Sequence, residues 1–155
     1  MTKNGILCEV NEKRVYLDPK KTDLNTINFV SHAHSDHLPS KNGGTILSSI
    51  ETSEISNLRG FTMENHVESI DGFSLIDSGH VLGSKGLLFD DIFYTGDICT
   101  RDRGFLKAAK IPSCKTLITE CTFGLPEFKF PKMQEIENYV NQLISDLYSK
   151  GVPVI

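Results

Sequence analysis

The sequence lacks several features that would assign the chain to particular classes of protein. No stretch approaches the roughly 20 consecutive apolar residues of a membrane-spanning helix, so we expect no membrane partner. Its start does not resemble a secretory signal peptide, and no C-x-x-C pair indicates a zinc ribbon or redox motif. We therefore expect Cys8, Cys99, Cys114 and Cys121 to be reduced core residues of a cytoplasmic protein. A formal net charge of -4 argues against binding that coats nucleic acid regardless of sequence, but it does not exclude a local basic groove.

The chain has 155 residues, the length of one typical domain. Its short apolar segments predict a mixed α/β arrangement. The expected strands are residues 6–10, 15–17, 27–30, 45–47, 73–77, 86–89, 92–95 and 116–119, with a further strand beginning at 152–155. A short helix is expected at 51–58. In a longer helix, the apolar positions form an amphipathic stripe, which we expect to pack on a sheet: Met133, Ile136, Val140, Leu143 and Leu147.

Three of the five histidines lie within six residues, in the stretch His32-Ala33-His34-Ser35-Asp36-His37. Imidazole suits zinc and similar ions, and a carboxylate adds an anionic ligand, so this spacing predicts a metal site rather than solvated loop histidines. The apolar segment before it indicates a buried strand. Because side chains alternate along an extended strand end, His32 and His34 are expected to point to the same side. Asp36 and His37 follow where a helix could begin, and they could face a second ion.

Further ionisable side chains follow the ends of other predicted strands. Asp18 could be a plain turn former or could brace a metal ligand from behind, and both alternatives stay open. His80 lies in a glycine-flanked loop just past a strand, which permits its side chain to turn back toward a site. Asp97 and Glu120 each end another strand. The sequence therefore predicts one sheet edge at which polar ligands converge.

A group of basic residues follows Asp97 and consists of Arg101, Arg103, Lys107 and Lys110. These side chains could track the phosphate backbone of a nucleic acid, to which cationic groups bind without regard to sequence. A solvated helix or loop face explains the same pattern at least as well. The sequence leaves both alternatives open.

Together these positions resemble the metallo-β-lactamase fold, and specifically its β-CASP nuclease branch. The marks of the general fold occur in the expected order at predicted strand ends, and they are Leu17-Asp18-Pro19, the 32–37 cluster, Gly79-His80 and Gly96-Asp97. The segment 117–124 looks like the acidic motif of β-CASP enzymes. Its continuation through residue 131 is similar to exonucleases associated with DNA ligases and to archaeal relatives of mRNA 3′-end processing factors.

The resemblance implies an αββα sandwich, an α/β fold in which two sheets pack face to face with helices outside. Residues 1–155 would be its N-terminal half, a mixed β-sheet with flanking helices. A β-CASP domain and the remaining metallo-β-lactamase part are expected after residue 155. Without them we expect this fragment to be inactive, to bind metal weakly or at one site, and to leave the inner face of its sheet unburied. Such a surface would favour association with a second copy.

The resemblance also implies a dinuclear centre, of zinc by preference or of manganese. His32, His34 and His80 would hold one ion, Asp36 and His37 would hold the other, and Asp97 would bridge them. A shared hydroxide would hydrolyse phosphodiester bonds of RNA or single-stranded DNA, as in nucleases of RNA processing or DNA repair. Asp18 would orient ligands, and Glu120 would orient a proton donor from the missing portion, so the expected catalytic residues are Asp18, Asp36, Asp97 and Glu120. The alternative is a hydrolase of the same fold that acts on a thioester, lactone or lactam.

Overall fold

The computed structural model describes residues 3–41 and 43–154, and within these ranges the protein is a mixed α/β structure with two β-sheets and two helices. The five-stranded sheet consists, in spatial order, of β1 (Ile6–Val10), β2 (Lys13–Leu17), β3 (Ile27–Phe29), β4 (Thr45–Leu47) and β5 (His66–Val67). The four-stranded sheet consists of β6 (Ser74–Asp77), β7 (Lys85–Phe89), β8 (Ile92–Tyr94) and β9 (Thr116–Ile118). Each sheet contains both antiparallel and parallel pairs of strands.

Two hairpins are closed by residues in the left-handed region. Asn11 and Glu12 join β1 to β2 with φ of 49° and 65°, and Asp90 and Asp91 join β7 to β8 with φ of 43° and 62°. Two-residue hairpins require positive φ at both central positions, which Asn and Asp tolerate better than most residues. The hairpin of β7 and β8 confirms the sequence prediction. The first turn is shorter than predicted, because Lys13 already begins β2.

The core lies between the two sheets. Buried side chains from both sheets form one cluster, which consists of Val15, Leu17, Phe29, Leu47, Leu87, Phe89 and Tyr94. Across the boundary, the rings of Phe29 and Tyr94 meet edge to face with their centroids 6.1 Å apart. The prediction that the inner face of the sheet is unburied is therefore wrong. The physical reason is that this chain supplies strands to both sheets, and the two sheets cover each other.

The two helices differ in how much of their surface is buried. Helix α1 (Ile50–Leu58) begins at Ser49, whose side chain accepts a hydrogen bond from the backbone N–H of Thr52, and it buries polar side chains. Helix α2 (Met133–Ser149) confirms the helical periodicity of the sequence, but none of its residues is buried. The packing of its apolar stripe on a sheet stays a prediction. Helix α2 belongs to a separate compact unit that follows Glu120.

Three short segments also differ from the sequence prediction. Strand β5 is two residues long, too short to produce a recognisable apolar pattern. Asp36 and His37 lie in a turn instead of the start of a helix. Residues 152–154 form no strand, and the last residue of that predicted strand, Ile155, lies outside the described residues. A strand forms only where a neighbour pairs with it, which an apolar segment alone cannot guarantee.

The cysteines are unpaired, and their positions vary. Cys8 is half-buried against the core cluster, as predicted, whereas Cys121 is exposed, so the prediction of a core position is wrong for Cys121. Among the described residues, no helix combines the length and the apolar character that crossing a bilayer demands.

The core assignment predicts a large loss of stability on truncation of Phe29, which is 0% exposed. Phe29→Ala should lower the free energy of unfolding by about 3–5 kcal/mol, because it removes a buried ring and leaves a cavity between the sheets. Urea denaturation followed by circular dichroism measures this change. Leu58→Ala is the matched control, since Leu58 is 87% exposed, and should change stability by no more than about 0.5 kcal/mol. Similar losses in both variants would contradict the assigned core.

Candidate metal centre

The backbone after β3 connects the histidine cluster to both sheets. The N–H of Val30 donates to the carbonyl of Leu47 in β4 at 3.0 Å, and the carbonyl of Ser31 accepts from the N–H of Lys85 in β7 at 2.9 Å. The chain at this point is thus held from both sides. As a result the next side chain, that of His32, is 0% exposed.

Asp97 reaches the same place from the end of β8. The residue before it, Gly96, has φ of 56°, and a Cβ atom there would lie 2.7 Å from the Cβ atom of Ser31. Glycine alone combines this backbone conformation with so close an approach. The turn that carries Asp97 therefore packs directly on the strand end that carries His32.

Four of the predicted ligands lie together. The ligand atoms of His32, His34, His80 and Asp97 are all within 4.8 Å of one another. Nδ1 of His34 lies 3.0 Å from Nε2 of His32 and 3.3 Å from Nε2 of His80. Oδ2 of Asp97 lies 3.8 Å from Nε2 of His32 and 3.5 Å from Nε2 of His80. Ligand atoms of a tetrahedral zinc ion with bonds of about 2.0–2.1 Å are about 3.3 Å apart, so these spacings fit one shared ion.

His37 approaches the other oxygen of Asp97. Its Nε2 lies 3.5 Å from Oδ1 of Asp97 and 3.7 Å from Oδ2 of Asp36. One oxygen of Asp97 thus faces His32 and His80 while the other faces His37. The side chain of Asp36 is 80% exposed and does not belong to the compact four-ligand group. The carboxylate of Asp97 is the point at which the two predicted ligand sets meet.

The carboxylate of Asp18 fixes two of the histidines. Its Oδ1 accepts the backbone N–H of Ser31 at 2.7 Å, and its Oδ2 accepts the Ser31 hydroxyl at 2.6 Å, Nδ1–H of His37 at 2.8 Å and the Tyr94 hydroxyl at 2.8 Å. Because the hydroxyl hydrogen of Ser31 goes to the carboxylate, the 2.9 Å contact between Ser31 Oγ and Nδ1 of His32 is donated by the imidazole. We therefore assign the neutral forms of both His32 and His37 a hydrogen on Nδ1 and a lone pair on Nε2.

Burial and the carboxylate of Asp18 shift the pKa values of these imidazoles in opposite directions. Desolvation, with the charge of a protonated His37 in second place, lowers the pKa of His32 to about 3. Desolvation also lowers the pKa of His80. For His37, burial lowers the pKa, but the hydrogen bond and the charge of Asp18 outweigh it, so the pKa is raised. The buried His32 is thus neutral near pH 7, which is the form that binds metal.

Glu120 follows β9 and contacts the turn that carries Asp97. Its Oε1 accepts the backbone N–H of Ile98 at 2.9 Å. Next to it, the hydroxyl of Thr95 donates to the hydroxyl of Thr119 at 3.2 Å, which links the ends of β8 and β9. Glu120 therefore holds the backbone beside Asp97. Its role in orienting a proton donor stays a prediction.

Two residues that support the site were missed by the sequence reasoning, and a third was given another explanation. Ser31 and Tyr94 bind Asp18, and the available sign for Tyr94 was its place at the end of β8, two residues before Gly96. Burial, and then the charge of Asp18, raise the pKa of Tyr94, so its hydroxyl stays a donor. Arg103 donates to backbone carbonyls beside the site. It therefore fits neither a solvated surface nor a contact with the phosphate backbone of a nucleic acid, the two alternatives that the sequence left open.

Comparisons with known proteins give distant relatives. Over 144 residues the chain is 28% identical to a probable DNA ligase from Opitutus terrae, an alignment that covers 82% of this chain and 14% of that protein. Over 90 residues it is 30% identical to transcription termination factor FttA from a Lokiarchaeum species, which covers 53% of this chain and 14% of that protein. No family model matches the chain. The chain therefore spans a small part of the length of these relatives, one named for DNA ligation and the other for termination of transcription.

The geometry predicts that the chain binds zinc through the four-ligand group. His34→Ala should remove most of that binding, because Nδ1 of His34 lies within 3.3 Å of two other ligand nitrogens. His66→Ala is the matched control, since Nε2 of His66 contacts the carbonyl of Ser48 at 3.1 Å. Elemental analysis after equilibrium dialysis against buffered zinc measures the bound metal. Equal zinc contents of the two variants would contradict the site.

The hydrogen bond from Tyr94 to Asp18 predicts a second, smaller effect on metal binding. Tyr94→Phe keeps the buried ring but removes one donor to the carboxylate that orients His37 and, through Ser31, His32. Loss of such support typically costs about 10–100-fold in metal affinity. Competition with a fluorescent zinc chelator measures the affinity. Tyr139→Phe, at a residue that is 70% exposed, should leave it unchanged, and an unaltered affinity in Tyr94→Phe would show that this hydroxyl is dispensable.

Proposed function

We propose that this chain is the N-terminal part of the metallo-β-lactamase-type domain of a β-CASP nuclease, which hydrolyses phosphodiester bonds in RNA or single-stranded DNA. The observation that carries the proposal is the group of His32, His34, His80 and Asp97, with His37 against the other oxygen of Asp97. Two sheets that pack around one core support the αββα sandwich that the sequence motifs imply.

The donor set fits zinc. Three imidazoles and a carboxylate at the spacings of a tetrahedral site, with the buried His32 neutral near pH 7, are ligands that zinc prefers. His32, His34 and His80 would hold one ion, Asp36 and His37 a second, and Asp97 would be shared. The second set has more carboxylate character, so manganese competes best there. Bound ions would polarise phosphoryl oxygens and would lower the pKa of water.

The chain's own residues supply orientation to this centre. Asp18 accepts Nδ1–H of His37 and, through Ser31, fixes the hydrogen of His32, so that both Nε2 atoms face the ligand group. Glu120 accepts the N–H of Ile98 and keeps the turn of Asp97 in place. We assign to Glu120 the further task of orienting a proton donor that another part of the whole protein contributes.

Nucleic acid is the substrate that the observations favour. The metal ligands alone would serve an esterase or a lactamase equally well, since the ions polarise a carbonyl as readily as a phosphoryl group. The choice rests on the segment 117–124, which resembles the acidic motif of β-CASP nucleases, and on relatives whose names refer to DNA ligation and termination of transcription. Hydrolysis of a phosphodiester requires mainly positioning and charge stabilisation, which such a centre offers.

We assign nuclease activity to the whole gene product, because the chain spans 14% of the length of each of these relatives. The second ligand set supports this assignment. Asp36 is 80% exposed, and His37 and Asp97 are the predicted ligands beside it. We propose that a further ligand and a phosphate-contacting group come from the rest of the protein, and that residues 1–155 alone are inactive.

The proposal predicts that Asp97→Asn in the whole gene product abolishes cleavage of single-stranded RNA and DNA. Asparagine removes the negative charge shared by the two ligand sets, so the loss should exceed the roughly 10–100-fold typical of supporting residues. Denaturing gels of end-labelled oligonucleotides, with zinc or manganese supplied, measure cleavage. Asp91→Asn makes the same chemical change at an exposed turn residue paired with Lys115 and should remain active. Turnover of thioester or lactam substrates without cleavage of either nucleic acid would favour the alternative hydrolase.

A further inference from the structure

The loop that carries His80 is held from outside by an arginine. Nη2 of Arg103 donates to the carbonyl of Gly79 at 3.1 Å and also to the carbonyl of His80. One planar guanidinium that binds two successive carbonyls fixes the two peptide planes on either side of Cα of His80, and therefore the direction in which the Cα–Cβ bond of His80 leaves the backbone. Arg103 thus contacts the backbone of a ligand and does not contact the ligand atoms.

His80 depends on such a backbone contact more than His32 and His37 do. Nδ1 of His32 and Nδ1 of His37 are both fixed by side chains, Ser31 and Asp18 respectively. For His80, the ring contacts in the described part of the chain are with other ligands, through Nε2, and no described residue hydrogen-bonds its Nδ1. The orientation of this ring is therefore set chiefly by its backbone.

Arg103 is itself rigidly placed. Its N–H donates to the carbonyl of Leu106, and the N–H of Leu106 donates to the carbonyl of Arg103, both at 2.9 Å. Gly104, with φ of 56°, allows the tight turn between them. The Nε of Arg103 is buried and has no hydrogen-bond partner among the described residues. A buried donor without a partner is unfavourable, so the contacts of Nη2 must offset it.

The surrounding backbone leaves the His80 loop little room to move as a whole. The N–H of Cys99 donates to the carbonyl of Ser78 at 2.9 Å, and a Cβ atom at Gly79 would lie 2.5 Å from the carbonyl oxygen of Cys99. At the far end, the carbonyl of Gly83 accepts the hydroxyl of Ser49 at 2.6 Å. The loop is thus anchored at both ends, and the contact with Arg103 lies at the ligand itself.

We propose that Arg103 is a positioning residue for His80, whose two carbonyl contacts hold the imidazole in the orientation that completes the four-ligand group. The inference rests on the metal centre of the proposed function and not on the identity of the substrate. Arg101, two residues earlier, is the matched control, since it is exposed and its described contact is made by its backbone carbonyl.

The first test needs no metal. Long-range ¹H–¹⁵N spectra of the metal-free chain report the ring nitrogens of each histidine. Arg103→Ala should shift or broaden the resonances of His80 and leave those of His66 in place, whereas Arg101→Ala should change neither. Arg103→Lys keeps the charge but not the planar fork, so it should perturb His80 less, and it serves in place of the alanine variant if that variant does not fold. Unperturbed His80 resonances in Arg103→Ala would overturn the proposal.

The second test is a double-mutant cycle on zinc affinity. Arg103→Ala should weaken zinc binding about 10–100-fold in the otherwise unchanged chain, and should weaken it no further when His80 is already replaced by alanine. An equal loss in both backgrounds would mean that Arg103 acts through general stability, and no loss in either would overturn its role. If the unchanged chain binds no zinc, the metal centre itself is wrong, and the ring resonances of His80 still decide whether Arg103 positions it.

Discussion

The carboxylate of Asp18 is the contact on which the site depends. It lies at the end of β2, yet it binds the backbone and hydroxyl of Ser31 beyond β3, the ring of His37, and the hydroxyl of Tyr94 in the opposite sheet. A carboxylate only accepts, so every one of these partners must donate to it. That requirement directs the hydroxyl hydrogen of Ser31 toward Asp18. Oγ of Ser31 therefore accepts a hydrogen bond from Nδ1 of His32, which places the ring hydrogen of His32 on Nδ1. One buried anion thereby joins two sheets and fixes two ligand lone pairs.

The ligand group makes little sense as a purely structural feature. Nε2 of His32 and Nδ1 of His34 are 3.0 Å apart, and at most one hydrogen can lie between them. A third imidazole, that of His80, places its Nε2 3.3 Å from the same Nδ1 of His34, and Arg103 binds the backbone carbonyl of His80. Solvation cannot relieve this crowding at the fully buried His32, whereas a cation would be attracted by every lone pair and by Asp97. The arrangement therefore favours a bound metal, and the network around it serves to keep the lone pairs pointed inward.

The sequence predicted the elements whose causes are local. Short apolar segments on both sides of Asp90 and Asp91 predict the hairpin of β7 and β8, because strand composition and turn preference both act within a few residues. The periodicity of α2 is equally local, but burial of its stripe is not, since burial depends on what covers it. Strand β5 was missed for the same reason: two residues acquire a strand conformation only through their neighbour β4. The contacts of Arg103 could not be predicted from the sequence, because its partners are backbone carbonyls, which every residue has.

By itself, the sequence determined which residues could be ligands. Their types and spacing are properties of the chain alone, both in the group of His32, His34, Asp36 and His37 and at the ends of the predicted strands. Only the tertiary structure decided which of them meet. It joined His80 and Asp97 to His32 and His34, left Asp36 exposed beside His37, and made Asp18 a support for the ligands. The physical reason is that convergence depends on how two sheets pack and on close approaches such as that of Gly96 to Ser31, which involve residues far apart in the chain.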